Sequence, residues 1–406
     1  MTGAEIEAIY LAVLFVPAMA GIILRITSRS GRIPRALCAV SCIAGVLCYP
    51  FMAYTGGLSY ELPVGSFLGA YAVSFDLLGS AFVSISSVVF LAILTHMSHS
   101  GHGYTARYSA LCCALFLAVT LCMCADTAIL LLLAWEAVSM VTFIMAGNGR
   151  EESARWRFLA VTHIGGLILM AVYGYMWTVS GSEYLHDWED LGAAVGPAAS
   201  AVLVLLLFLG FGTKLGTVPF HAWMPDMYAE SPTHTTALLT TVCSNAAVLM
   251  LFRAVYSYIG AEGLTDVGMV VCVLAAVTAL WGAMESMVQT EPKRILAYSS
   301  MENMALVTLC LALGLVFWSS SESLTALVIL AAVLHALNHS VFKSLMLLTV
   351  DSVEDVTGER KIDRMGGLAK VLPALSAVAL VGVASLAAIP PMNGFISEWL
   401  MLQSLV

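Results

Sequence analysis

Apolar stretches long enough to cross a bilayer follow one another along almost the whole chain, and no other feature restricts its fold more. A spanning helix takes about 20 apolar residues. Such runs fall at residues 5–25, 35–54, 74–95, 108–125, 128–147, 156–180, 199–220, 233–257, 267–288, 295–317, 324–349 and 372–400. Inside hydrocarbon every backbone N–H and C=O must be satisfied within the structure, which leaves helices or closed barrels. Runs of this length select helices, so the expected fold is an all-α integral membrane protein of about twelve transmembrane segments. Composition agrees: 60% of the residues are apolar and 11% charged, against about 45–50% and about 25% in soluble domains. The first run lacks a basic leader and a small-residue cleavage site, and reads as a helix rather than a signal peptide.

Charge then sets the topology. Fourteen of the seventeen Lys and Arg residues lie in or beside alternate loops, from Arg25, Arg29, Arg32 and Arg35 through Arg107, Arg150, Arg155, Arg157, Lys293 and Arg294 to Arg360, Lys361, Arg364 and Lys370. The opposite loops carry acids such as Glu61, Glu183, Asp187, Glu189, Asp190 and Asp266. By the positive-inside rule the basic loops are cytoplasmic and the N-terminus faces outward. The net charge of −9 is a by-product of this asymmetry and carries no nucleic-acid footprint. The ten cysteines include no metal-binding or redox spacing and read as small buried hydrophobes. His96, His99 and His102, at the end of the third run, read as a solvated helix-end group rather than a metal site.

The remaining charges lie inside the apolar runs, where they are expensive and mark ion pathways. Between Phe211 and Leu239 an apolar helix carries Lys214, breaks at Pro219, passes His221, Trp223 and Asp226, and reaches Pro232. Glu136 lies eight residues into the fifth run. Burial loosens an ammonium's hold on its proton and a nearby carboxylate restores it, so Glu136 and Lys214 are expected partners in a relay. Beyond the break, His221, Trp223 and Asp226 suit capping of the freed backbone as well as a direct role. Lys293 and Glu302, nine residues apart, reach a hydrated path, and Arg294 reads as a headgroup-level anchor. His335, His339 and Lys343 recur every four residues and stack on one helix face. A proton relay suits that stripe better than haem ligation, which takes histidines on facing helices. Pro390 and Pro391 break the last run, with Glu398 beyond them. Two broken helices, five segments apart and entering from opposite sides, predict an inverted repeat. Residues 1–100 are then packing helices, 108–258 a first half-channel, and 266–406 a second that is truncated at Val406.

The motifs WEAVSM around Glu136, KLGTVPFHAWMPD from Lys214, SPTHTTALL from Ser231, KRILAYSSMEN from Lys293, HALNHSVFKSLMLL from His335 and IPPMNGFISEWL from Ile389 occur in order. Over roughly residues 70–406 the chain resembles the antiporter-like membrane subunits shared by respiratory complex I, Mrp-type sodium/proton antiporters and membrane-bound nickel-iron hydrogenases. It looks most like the formate hydrogenlyase and hydrogenase-4 branch. The resemblance implies two half-channels joined by a polar axis. Glu136 and Lys214 would form the first pair, Lys293, His335, His339 and Lys343 the central links, and Glu398 the terminal residue. Where complex I subunits often have histidine this chain has Thr240, so the link there is expected to run through water or another side chain. The last two core helices and the lateral helix of some relatives are missing from the sequence. What the resemblance implies is a proton-translocating subunit of a redox-driven pump in a prokaryotic cytoplasmic membrane, itself without cofactor. Iron-sulfur and nickel-iron or flavin centres are then expected in partner subunits of a cytoplasmic arm, alongside other membrane subunits. The alternative it carries is a subunit of an Mrp-type antiporter without redox partners.

Overall fold

The apolar runs fold as helices, and their breaks fall where proline, glycine or a polar cap interrupts them. A computed structural model describes residues 3–26, 30–62, 69–100, 105–148 and 151–404. Helix α1 (Gly3–Ile23) is followed by α2 (Arg32–Val46) and α3 (Cys48–Thr55), which meet at a 40° bend. The second expected segment is therefore two helices. Gly56 closes α3 with a φ of 85°, a conformation glycine adopts without strain. There follows a hairpin of β1 (Leu58–Glu61) and β2 (Ala72–Phe75), antiparallel and unforeseen from hydropathy. The Asp76 carboxylate caps α4 (Leu77–His99) by accepting from the Gly79 N–H at 2.6 Å.

Helices α5 (Ala106–Cys124), α6 (Ala128–Met145) and α7 (Glu152–Ser180) lead to the short α8 (Leu191–Val195). The broken helix begins as α9 (Pro197–Leu215), turns at Gly216, whose φ is 75°, and resumes as α10 (Met224–Glu230). Next come α11 (Thr233–Leu238), a π-helical segment at Leu239–Cys243, α12 (Ser244–Phe252) and a second π segment at Arg253–Ile259. Helices α13 (Thr265–Val288), α14 (Pro292–Phe317) and α15 (Glu322–Thr357) are unbroken. Short α16 (Leu368–Val371) precedes α17 (Pro373–Leu386) and α18 (Asn393–Gln403).

Among the described residues ten helical stretches are long and apolar enough to cross a membrane, or eleven if α2 and α3 count as one bent span. The expected twelve are not reached by that measure, and the shortfall lies at 372–400. There the proline pair leaves α17 with 14 residues and α18 with 11, about 21 and 17 Å at the helical rise, against about 30 Å of hydrocarbon.

Residues 233–259 run through the middle of the bundle, packed by α4, α5, α9 and α15. They are almost wholly buried, and threonine, serine, alanine and asparagine supply much of their surface. The periphery is more apolar: α13 exposes Met269, Val273, Leu280 and Met284, and α17 exposes Leu380 and Val381. Lipid rewards this arrangement, because apolar side chains gain nothing by leaving hydrocarbon while small and polar ones pack helices closely.

Two ends are distinguishable. At the acidic end the Arg253 guanidinium donates to the Met123 carbonyl at 2.8 Å and pairs with Asp76 at 2.7 Å, tying the last turn of α5 to the start of α4. Asp126 holds His186 at 2.7 Å. Helix α15, 36 residues and so about 54 Å long, is longer than the roughly 30 Å of hydrocarbon and carries Asp351 and Glu354 near its basic end.

Candidate functional site

Helix α7 approaches α9 closely because Gly165 leaves room for the Thr213 side chain and the Gly210 carbonyl. The next residue, Gly166, leaves the space that the Glu136 carboxylate fills. Glu136 is half-buried on α6 and its Oε2 lies 3.3 Å from Nδ1 of His163 on α7. Lys214, on the last turn of α9, is buried. Its Nζ donates to the Trp135 carbonyl at 3.0 Å and lies 3.6 Å from the centre of the Trp135 ring. A desolvated ammonium over an indole face is held by about 2 kcal/mol or more. Lys214 also feels the Glu136 charge. The expected Glu136–Lys214 pair is thus a contact through Trp135, the residue before Glu136, while the carboxylate itself turns to His163.

Lys293 and Lys343 are seated in the same way as Lys214. Lys293, at the start of α14, donates to the Ser231 carbonyl at 3.1 Å and lies 3.8 Å from Glu354. It borders a cavity of about 360 Å³ at the basic end, with Glu291, Glu354 and Arg360. Lys343, fully buried on α15, donates to the Leu296 carbonyl at 3.3 Å. All three buried lysines therefore rest on main-chain carbonyls, as charges inside membranes commonly do, and Lys293 has Glu354 beside it as well.

His335 and His339 occupy the predicted face of α15. His335 joins three helices: Nδ1 is 3.0 Å from Ser397 Oγ of α18 and Nε2 is 3.1 Å from Asn303 Oδ1 of α14. Both ring nitrogens of His339 are buried without a hydrogen-bond partner, the ring standing edge-on to Phe342 at 5.5 Å. Lys343 and Glu398 both feel the charge of Glu302. Both carboxylates are half-buried. Glu302 thus lies within electrostatic range of both Lys343 and Glu398, whereas Lys293 lies apart at the basic end.

The break between α9 and α10 is closed by side chains around it. Trp223 Nε1 donates to the Thr213 carbonyl at 2.9 Å, and its ring packs on Phe158. Asp226 receives Arg157 and Arg294, each at 2.8 Å. Arg294 therefore fastens α14 to the break, and is not a free headgroup anchor. Thr240 lies in the first π segment with its hydroxyl buried and unbonded. Tyr228 and Ser300 stand nearby.

Three histidines escaped the sequence reading or were misplaced by it. His163 was detectable as an ionisable residue in an apolar run. His234 lay inside a motif remarkable only for its threonines and prolines. His96 turns inward to His234 and Asp351, whereas His99 is exposed and bonds the Thr95 carbonyl; His102 lies outside the described residues. The described cysteines are all free and, apart from the half-buried Cys272, buried.

A family model described as NADH:quinone oxidoreductase/Mrp antiporter, transmembrane, matches residues 125–406. Hydrogenase-4 component B of Escherichia coli (strain K12) is 30% identical over 285 residues, 69% of this chain and 42% of that protein. The Mrp complex from Dietzia sp. DQ12-45-1b superposes with a TM-score of 0.85 and 25% identity over 98% of this chain and 43% of that one. Respiratory complex I from Thermus thermophilus gives 0.83 and 22% over 97% and 82%, a likeness of fold. The chain spans about half the length of the curated relatives it matches, between 42% and 53% for the most similar.

Proposed function

The chain belongs to the NADH:quinone oxidoreductase/Mrp antiporter transmembrane family, and from that premise we propose that it translocates protons as a membrane subunit of a redox-driven complex of the hydrogenase or complex I kind. The observation that carries this reading is the set of three buried lysines, Lys214, Lys293 and Lys343, each resting on a main-chain carbonyl with a carboxylate in range. Burial alone makes such an ammonium release its proton, and an approaching carboxylate makes it hold on. Glu136 has two stations, His163 as it stands and Lys214 when it swings, so its position sets the load on Lys214. Lys343, Glu302 and Glu398 repeat the device in the other half, with His335 and His339 between. Residues 108–258 and 266–406 then act as two half-channels. The basic loops face the cytoplasm and the N-terminus faces outward.

The work of electron transfer falls to partner subunits carrying iron-sulfur and nickel-iron or flavin centres, in keeping with the likeness to hydrogenase-4 component B. Mild-detergent isolation of the tagged chain with mass spectrometry tests this. Copurifying iron-sulfur subunits support the reading, and proton uptake by that complex in proteoliposomes should then stop in Lys214→Met. The 25% identity to the Mrp complex over nearly the whole chain favours a second reading, an antiporter subunit. Isolation with small membrane proteins alone, together with sodium-driven proton flux, would establish it instead.

A further inference from the structure

We propose that His96, His234 and Asp351 form a binding site for a zinc-class divalent transition-metal ion at the basic end of the bundle. The three side chains come from separate helices: His96 from the last turn of α4, His234 from the first turn of α11, and Asp351 from the far end of α15. His96 Nδ1 lies 2.9 Å from His234 Nε2, and each nitrogen lies 3.7 Å from Asp351 Oδ2. A circle through three atoms so spaced has a radius of about 2.0 Å, the length of a zinc–nitrogen or zinc–oxygen bond. One ion near its centre reaches all three donors without moving a helix, and the positions above and below the plane stay open to water.

The donor set selects the metal. Two imidazoles and one carboxylate suit zinc, nickel, copper or cobalt, whereas calcium and magnesium take oxygen ligands. The outer ring nitrogen of His96 lies 3.0 Å from Ser352 Oγ, and that hydroxyl donates to the Leu348 carbonyl at 2.9 Å. Such a bond fixes the ring's orientation, as second partners do at metal sites. His234 and Asp351 are buried, while the His96 side chain is 23% exposed. His96 borders an open groove of about 640 Å³ through which an ion can arrive. An occupied site would fasten α4 and α11 to α15, the helix that carries His335, His339 and Lys343. The site shares no residue with the proposed relay, so its existence does not depend on what the chain transports.

The test is metal binding by the chain with its copurifying partners, isolated through a tag without histidines and stripped with a chelator. Zinc is titrated against a chromophoric competitor, and cobalt supplies a visible spectrum that reports nitrogen and oxygen ligands. The expected result is one tight equivalent in the parent that is lost in His96→Ala. Affinity should fall at least about 100-fold in His96→Ala and Asp351→Asn, and about 10- to 100-fold in Ser352→Ala. His99→Ala and His186→Ala should bind as the parent does. Equal zinc affinity in parent and His96→Ala overturns the site, and so does an absence of tight zinc in the parent. If substitution at His234 or Asp351 prevents accumulation, His96→Ala decides alone, because its side chain lies at the margin of the bundle.

Discussion

A single methyl group added at Gly166 should separate the position of Glu136 from every other property of α7. An alanine Cβ there would stand 1.9 Å from Glu136 Oε1, against an ordinary contact beginning near 3.4 Å. The carboxylate must therefore retreat by about 1.5 Å, away from its 3.3 Å pairing with His163. An off-rotamer glutamate costs about 0.5–1.5 kcal/mol, and an ion pair this exposed contributes under about 1 kcal/mol. Together they make about 1–2 kcal/mol, or about 5- to 30-fold in any step that needs Glu136 where it stands. Gly174, two turns along the same helix, has nothing within 4 Å of an added Cβ. Alanine for glycine in a helix adds up to about 1 kcal/mol of stability, so Gly174→Ala should melt higher and transport normally. Gly166→Ala should melt within about 1 kcal/mol of the parent yet transport about 5- to 30-fold more slowly. The assay is proton uptake by the reconstituted complex, followed with a pH-sensitive dye beside thermal unfolding. Parental transport in Gly166→Ala would refute the idea that Glu136 works from its station beside His163.

Three further substitutions probe other parts of the site. Trp223→Phe keeps the ring on Phe158 but leaves the Thr213 carbonyl without its donor, and should lower unfolding stability by about 1–3 kcal/mol; an unchanged melting temperature would show that water replaces the indole. His339→Leu removes two buried, unbonded ring nitrogens, so it should raise the melting temperature while halting proton uptake. A variant that is both stabler and fully active would exclude His339 from the relay. Trp135→Leu removes the indole face under Lys214 but leaves the carbonyl. A loss of about 2 kcal/mol of hold on the ammonium, about 30-fold in proton-uptake rate, is expected, and a rate within twofold of the parent would make the ring irrelevant.

Much of this was legible from the chain. A charge inside a twenty-residue apolar run announces itself, so Glu136, Lys214 and Lys343 could be placed in the bundle interior by counting. Glycine and proline at Gly216 and Pro219 made the break in the first half readable. What the sequence withholds is which neighbour each buried charge selects. A helix turns 100° per residue, and that rotation puts Trp135 rather than Glu136 against α9. The same blindness split His96 from His99: adjacent in the motif, they point to opposite environments once α11 and α15 close over one of them. The bend between α2 and α3 interrupts no polar pattern, and the β1–β2 hairpin has only four residues in each strand, so hydropathy passed over both. The division into half-channels at residues 108–258 and 266–406 remains a proposal that mutational separation of the two halves would test.

The seating of Lys214 on Trp135 makes two charges mechanically inseparable. The carbonyl that accepts the ammonium and the carboxylate that faces His163 belong to consecutive residues, joined by one rigid peptide plane. Drawing the lysine off its seat unloads the same helical turn that aims Glu136, and pushing the carboxylate aside tugs on the lysine's acceptor. The lysine's acceptor and the carboxylate's backbone anchor therefore share one pivot, and a shift of that peptide plane moves the settings of both at once.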